Sequence, residues 1–248
     1  MLGDSRYQEA SCGALMLIDK KGECLSKRQY GRMPETKKKT LKSQLEQDLK
    51  YILHKNPSLS VIKIADGARD NWAYFQDIKA DGVEIFDFYH SSEHLKHAFD
   101  LAYGEKNSKS FSSYKKYREI LLGEENGVQK IVNHLSYLCS KNPKIKFLKT
   151  ERNYSKNNRQ RMQYAMYKSL NYPIGSGSIE AICKTLVTQR LKCSGMQWDY
   201  AGGQAILTFR AFNHSELFDK AWKIMADDSQ CMISAANDNE TLPLFNVA

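Results

Sequence analysis

A strand, a helix and a second strand follow one another closely near the first third of the chain, and this order constrains the fold strongly. Val61–Ala65 is apolar and β-branched apart from its lysine, Arg69–Lys79 has a helical pattern, and Val83–Phe88 is again apolar. So short a connection predicts a right-handed βαβ unit with a parallel strand pair, whose carboxyl ends form the usual ligand-binding edge. We therefore predict an α/β fold in which Asp66 and Asp87 lie near the same edge of a sheet.

The remaining sequence predicts a β-hairpin followed by helices. Asp19-Lys20-Lys21-Gly22 is a turn signal between two strand-like runs, Ser11–Ile18 and Glu23–Arg32. Apolar residues at helical spacing predict further helices in Thr36–His54, the long basic region Ser91–Leu170, Ser178–Lys192, Ala201–Phe212 and Ser215–Met225. The polar stretch beyond Asp227 is predicted to be disordered.

The net charge of +9 is unevenly distributed. The region 101–172 is strongly basic, whereas 61–100 and 173–248 are net acidic. A basic surface beside acidic segments suits a polyanionic substrate, because lysine and arginine attract phosphates. A solvated basic helix face is the alternative interpretation of such a charge run.

Cysteine usage and hydropathy indicate the cellular environment. The six cysteines contain no Cys-x-x-Cys motif, which argues against a structural zinc site and a disulfide framework. No apolar stretch approaches the roughly 18 residues that a membrane span needs, and the N-terminus lacks the pattern of a secretory signal. We therefore predict a soluble protein of the cytoplasm, without a membrane partner.

Two carboxylates are the candidate chemical groups. Asp66 follows the strand Val61–Ala65, and Glu180 lies where a glycine-serine turn opens a helix. Carboxylates in such positions can share two Mg²⁺ ions about 3.5–4 Å apart, which activate the attacking oxygen and stabilise the leaving one. The alternatives are a plain Asp-Gly turn at Asp66 and, at Glu180, a helix-dipole effect or pairing with Lys184.

Three longer motifs resemble a known family. They are Ile174–Trp198, with the sequence IGSGSIEAICKTLVTQRLKCSGMQW, then Ile64–Trp72, with IADGARDNW, and Asp87-Phe-Tyr-His90. These segments are similar to the DDE transposases of bacterial insertion sequences, in particular the ISKra group, whose catalytic core is similar to RNase H. The likeness extends from about Tyr7 to Met225.

The resemblance implies both an architecture and roles for residues. It implies an RNase H-like mixed sheet lacking its first strand, with an all-helical insertion: core at 1–90, basic insertion at 91–172, core helices with Glu180 at 173–226, and a disordered tail at 227–248. Asp66 and Glu180 would be catalytic ligands of Mg²⁺, with Mn²⁺ as a possible substitute. His90 would assist catalysis, Asp87 would be auxiliary, and DNA would be contacted by Lys184, Arg190 and Lys192.

The chain also departs from the family pattern. The first catalytic aspartate of the family lies on a strand upstream of the segment at Tyr7, and this sequence begins after it. We expect a truncated or split enzyme that acts on transposon ends and target DNA, as a homo-oligomer on DNA in the nucleoid, and that is poorly soluble alone. The alternatives are a non-catalytic DNA-binding remnant or inhibitor and, less favoured, an unrelated RNase H-like nuclease.

Two further features have competing interpretations. His90, His94 and His97 with Glu93 have the composition of a zinc site on a helix. We favour instead a role for His90, paired with Asp87, near the scissile phosphate or in packing. The tryptophans at positions 72 and 198 are interpreted as core residues rather than as base-stacking platforms.

Overall fold

A computed structural model of the chain shows two small β-sheets among helices. It describes residues 9–78, 80–194 and 196–238, with side chains up to Gln230. The strands are β1 (Ser11–Ile18), β2 (Cys24–Arg32), β3 (Val61–Ala65) and β4 (Gly82–Phe86). The helices are α1 (Lys39–Lys55), α2 (Arg69–Asp77), α3 (Phe88–Tyr103), α4 (Ser108–Gly123), α5 (Gly127–Lys141), α6 (Lys146–Asn158), α7 (Tyr164–Ser169), α8 (Gly177–Cys183), α9 (Gln189–Leu191), α10 (Tyr200–His214) and α11 (Phe218–Asp238). The α/β class predicted from the sequence is thereby confirmed.

The predicted hairpin is present. β1 and β2 pair in antiparallel register, with Ser11 opposite Arg32. In the turn, Oδ1 of Asp19 accepts hydrogen bonds from the backbone N–H groups of Lys21 and Glu23, both at 2.8 Å. Gly22 adopts a φ of +86°, a conformation that side-chain-bearing residues rarely take. The turn signal in the sequence therefore fixes the hairpin through local hydrogen bonding and one glycine.

The predicted βαβ unit is also present. β3 and β4 are parallel, Ala65 lies opposite Phe86, and α2 connects the strands. The second strand ends at Phe86 rather than at Phe88 as predicted, because Asp87 caps the next helix. The N–H of Asp87 still donates to the carbonyl of Ala65 at 3.0 Å. Asp66 and Asp87 consequently lie side by side at the carboxyl edge of this sheet, as predicted.

The sheets differ from the single mixed sheet that we predicted. The described residues form two separate two-stranded sheets, β1 with β2 and β3 with β4. Within these residues, no backbone pairing joins the hairpin to β3 and β4.

Several helix boundaries also differ from the predictions. α1 begins at Lys39 instead of Thr36, since Lys37 and Lys38 have positive φ values of 56° and 53°. The helix predicted for Ser178–Lys192 consists of α8, a π-helical segment at Lys184–Thr188, and α9. α11 continues to Asp238, beyond the predicted end at Met225 and into the stretch predicted to be disordered. Predictions that concern Tyr7, Lys79, Gly195 and 239–248 lie outside the described residues.

Buried apolar side chains form two clusters. The cluster that we call the large core joins β3 and β4 to helices α2–α7 and includes the fully buried Ile85, Phe86 and Leu135. The cluster that we call the small core joins the hairpin to the last part of the chain: Ile182, Leu186, Val187, Leu207 and Ala211 form it, and Cys12, Ala14 and Met33 pack against it. The predicted insertion 91–172 thus shares its core with β3 and β4, and the predicted domain boundaries remain predictions.

None of the helices within the described residues combines the length and the apolar character that crossing a bilayer requires.

Candidate functional site

Asp87 is the central connection of the candidate site. Its side chain is fully buried, and Oδ1 accepts hydrogen bonds from the N–H groups of Tyr89 at 2.6 Å and His90 at 3.0 Å. Oδ2 accepts from the N–H of Ser176, and next to it the N–H of Phe88 donates to the carbonyl of Ile174 at 2.9 Å. Asp87 therefore caps α3, as aspartate does at many helix starts, and clamps the turn before α8 against the end of β4.

Asp66 lies beside this clamp and is half-buried. Its Oδ1 accepts from the N–H of Ala68 at 3.0 Å and from Nδ2 of Asn71 at 2.9 Å. These two bonds fix the orientation of the carboxylate, as in an Asx turn. The Asp-Gly turn that was the alternative interpretation of Asp66 is thus observed, and its hydrogen bonds hold the carboxylate in one orientation at the sheet edge.

Tyr154 is a member of this site that sequence reasoning missed. A Cβ added to Gly67 would lie 1.8 Å from the hydroxyl of Tyr154, so this tyrosine from α6 lies directly on the Asp66-Gly67 backbone. Its ring packs between His94, at a centroid distance of 3.7 Å, and Phe86, at 5.3 Å. No local pattern in the sequence links position 154 to position 67.

The environment keeps Tyr154 protonated. Burial raises the pKa of its phenol, and the negative charges of Asp66, Glu151 and Asp87 raise it further, although a hydrogen bond with the Gly67 backbone acts in the opposite direction. At neutral pH the site therefore holds a neutral hydroxyl among carboxylates, because burial and negative neighbours disfavour the phenolate.

Glu151, a buried carboxylate on the same helix as Tyr154, contacts the histidine that packs on the Tyr154 ring. Glu151 is 7% exposed, and its two oxygens contact Nδ1 of His94 at 2.7 Å and Nδ1 of His97 at 2.9 Å. Burial tends to raise the pKa of Glu151, but the hydrogen bonds from both histidines outweigh burial and lower it. Two features of the sequence could have revealed this contact. Glu151 is an isolated acid in a basic region, and His94 and His97 are spaced one helical turn apart.

The histidines of α3 are not arranged as the zinc interpretation would require. His90 does not join His94 and His97 on Glu151, since its Nδ1 contacts Oε2 of Glu93 at 3.1 Å. Within the described residues there is no group of three or more His, Cys, Asp or Glu side chains suited to hold a metal ion.

Glu180 lies in the first turn of α8 and is exposed. Its N–H donates to the carbonyl of Ser176 at 3.1 Å, and the N–H of Ser176 donates to Asp87. A continuous series of contacts therefore runs from Ala65 through Asp87 and Ser176 to Glu180. This series attaches the start of α8 to the strand ends that carry Asp66.

The three predicted DNA-contacting residues follow Glu180 along the chain. Lys184, Arg190 and Lys192 are exposed, and the guanidinium of Arg190 lies 5.9 Å from the ring centroid of Trp198. A π-helical segment at Lys184–Thr188 interrupts this helix, and such segments are frequent at functional sites.

The tryptophans also have defined environments. Trp72 is buried beneath the guanidinium of Arg161, 4.2 Å from its ring centroid, so the prediction of a core residue is confirmed. Trp198 is half-buried.

We compared the chain with protein-family models, with curated proteins and with solved structures, and none of the three comparisons found a match.

Proposed function

We propose that this chain is the catalytic part of a DDE-type transposase with an RNase H-like core, which cuts and joins DNA during transposition of an insertion sequence. One observation carries the proposal: the clamp from Asp87 to Ser176 attaches the start of α8, with Glu180, to the strand ends at Asp66. Two carboxylates distant in sequence are thereby mounted on elements that meet at one sheet edge, where ligands usually bind in α/β folds.

Asp66 and Glu180 are the proposed metal ligands. Carboxylate oxygens are the kind of ligand that Mg²⁺, or Mn²⁺ in its place, takes in proteins, and the carboxylate of Asp66 is oriented by Ala68 and Asn71. When bound, the metals supply activation of the attacking oxygen and stabilisation of the leaving one. Tyr154 and Asp87 hold the backbone around this edge, and His90, half-exposed at the start of α3, is the proposed auxiliary group.

The proposed partner is DNA, both transposon ends and target. The region 101–172 and the exposed Lys184, Arg190 and Lys192 supply positive charge for phosphate contacts. A homo-oligomer assembled on DNA, located at the bacterial nucleoid, completes the proposal.

Two measurements on the chain test this function. The first is the fluorescence anisotropy of a labelled duplex titrated with protein at several salt concentrations. We expect binding that weakens with salt, and a triple substitution Lys184→Ala, Arg190→Ala and Lys192→Ala should reduce the logarithmic salt slope by about 2–3, since each lost phosphate contact contributes about 0.9. Salt-independent or undetectable binding would contradict the proposal.

The second measurement is nicking of supercoiled plasmid, in the presence of Mn²⁺, by a version of the chain extended upstream to include the first catalytic aspartate that the family resemblance implies. We expect nicking that Asp66→Asn and Glu180→Gln abolish while duplex binding persists, and Glu105→Gln, an exposed carboxylate outside the candidate site, is the matched control. Binding without any nicking would contradict the catalytic proposal and favour a DNA-binding remnant or inhibitor instead.

A further inference from the structure

One face of α4 presents an exposed aromatic ring beside two cations. Its residues follow one another at about one helical turn and line an open hollow of about 290 Å³: Phe111, Tyr114, Lys115, Arg118 and Glu119. We call this feature the α4 hollow. The side chain of Phe111 is 63% exposed, although burial of such a ring would stabilise the fold. The α4 hollow therefore offers a ligand an apolar ring and a net positive charge, since two cations outweigh one carboxylate.

The composition of the α4 hollow defines the chemistry of its ligand. Lys115 and Arg118 attract an anion, and the ring of Phe111 favours a flat partner that can stack on it. Nucleic acid combines both properties, because its phosphates are anionic and every base has a π-face. In a duplex the faces of the bases are covered by their neighbours, so only unpaired bases can stack on a protein ring. The ligand that fits is a single-stranded segment.

Arg118 connects the α4 hollow to the candidate site. Its guanidinium carbon lies 4.9 Å from the ring centroid of Phe88, and the ring of Phe88 meets that of Tyr89 edge-on at 5.8 Å. Tyr89 is 52% exposed, and a Cβ added to Gly175 would lie 2.6 Å from its ring. A second exposed ring therefore lies on the turn that precedes Ser176 and the start of α8.

We propose that the α4 hollow and Tyr89 together bind a single-stranded segment of DNA. The ring of Phe111 stacks on one base and the ring of Tyr89 stacks on another, while Lys115 and Arg118 contact phosphates. Phe111 and Arg118 are two helical turns apart, which is about 10 Å along α4, so the hollow itself takes only a short stretch of the strand. Because stacking accepts every base, this binding has little sequence preference.

The inference rests on the proposed function, since it takes DNA as the partner, and it adds a part of the substrate that the proposal does not name. Duplex DNA is held mainly through phosphate contacts, for which Lys184, Arg190 and Lys192 are the proposed residues. Unpaired bases are held through Phe111 and Tyr89. The two kinds of binding therefore have separate measurements.

The experiment compares a blunt duplex with the same duplex carrying a short single-stranded overhang, both followed by fluorescence anisotropy with the full chain. We expect tighter binding of the overhang substrate. Phe111→Ala should weaken this binding about 5- to 150-fold, the effect of losing one stacked base, and should leave blunt-duplex binding unchanged. Phe111→Trp should retain it. Phe147→Ala is the matched control, because Phe147 is a 70% exposed phenylalanine on α6 in the same basic region.

The same comparison tests the ring at the candidate site. Tyr89→Ala should weaken overhang binding by a similar factor, whereas Tyr89→Phe should retain it, because stacking needs the ring and not the hydroxyl. Tyr137→Ala is the control, since Tyr137 is 54% exposed on α5. Circular dichroism verifies that the variants are folded. Arg118→Ala should lower the logarithmic salt slope of overhang binding by about 0.7, the contribution of one phosphate contact on a single strand.

The outcomes separate this inference from the proposed function. Duplex binding with no gain from the overhang, or a loss in Phe111→Ala no larger than in Phe147→Ala, would overturn the inference alone. Overhang binding that depends on Phe111 without any duplex binding would support the inference and contradict the proposed function. Heparin, a polyanion without bases, should bind Phe111→Ala as well as the unaltered chain. An equal loss for heparin would show that Phe111 does not act by stacking.

Discussion

The large core and the small core bury their strands to very different extents. β3 and β4 are covered by α2–α7, and Ile85 and Phe86 are fully buried. The hairpin is covered mainly near its open end, while Met16, Leu17 and Leu25 remain exposed near the turn. The comparison teaches that the helical region 91–172 is a structural part of the site around Asp66, whereas Glu180 depends on the less complete small core.

The exposed hairpin gives a physical basis to one prediction from the sequence. Unpaired strand edges and exposed apolar residues promote association between chains. Poor solubility of the isolated chain therefore remains our prediction, and a stable, freely soluble monomer would contradict it.

The largest expected difference between the cores concerns two matched leucines. Leu135 in the large core and Leu207 in the small core are both buried, at 1% and 0% exposure. Leu135→Ala should cost about 3–5 kcal/mol of unfolding free energy, because its tightly packed surroundings cannot collapse into the cavity. Leu207→Ala should cost about 2–3 kcal/mol, since the neighbouring hairpin can relax. Urea denaturation followed by circular dichroism measures both, and a larger loss for Leu207→Ala would reverse the comparison.

The clamp between the two cores is tested at Asp87. Asp87→Ala removes the acceptor for the N–H groups of Tyr89, His90 and Ser176, and we expect a loss of about 3 kcal/mol, because buried donors without partners are costly. Asp19→Ala is the matched control, because the Asp19 carboxylate likewise accepts backbone N–H groups, those of Lys21 and Glu23, but lies in an exposed turn. Its loss should be below about 1 kcal/mol, and equal losses would show that Asp87 is not a clamp.

Substitutions at Gly67 and Gly13 compare how tightly the backbone is packed near Asp66 and in the hairpin. A Cβ at Gly67 would meet the hydroxyl of Tyr154 at 1.8 Å, and the packed ring cannot easily retreat, whereas a Cβ at Gly13 meets the flexible end of Leu45 at 2.9 Å. Gly67→Ala should therefore cost about 1–3 kcal/mol and Gly13→Ala less. Truncation by Tyr154→Ala should remove most of the penalty at Gly67 in the double variant. The same penalty with and without the tyrosine would exclude it as the cause.

The smallest effect is a pH dependence that originates at Glu151. Because folding lowers the pKa of this carboxyl from 4.5, its contribution to stability is fully present above that value and is lost as the pH falls through the lower, folded pKa. Glu151→Gln should weaken the fold by about 1–2 kcal/mol at neutral pH and should flatten the decline on acidification. Urea titrations from about pH 6 to about pH 3 measure this, with Glu93→Gln, which is 73% exposed, as the control. An unaltered acid profile in Glu151→Gln would assign the decline to other groups.

Local patterns predicted much of the fold, and tertiary contacts account for what they missed. The hairpin and the βαβ unit follow from alternation, apolar runs and turn residues, which act over a few positions. α3 begins earlier than predicted because Asp87 caps it, and the hydrophobic periodicity of the sequence does not reveal such a cap. Tyr154 on Gly67 joins positions far apart in the chain, and nothing within a short window of sequence encodes this contact.

The most direct test of the account is whether one divalent cation contacts both Asp66 and Glu180. Paramagnetic Mn²⁺ broadens amide resonances close to it, so a titration followed by nuclear magnetic resonance reports where the ion binds. The account predicts joint broadening around residues 66 and 180, which Asp66→Asn and Glu180→Gln each abolish at both positions. Broadening around only one of them, or losses confined to the substituted residue, would contradict a shared site.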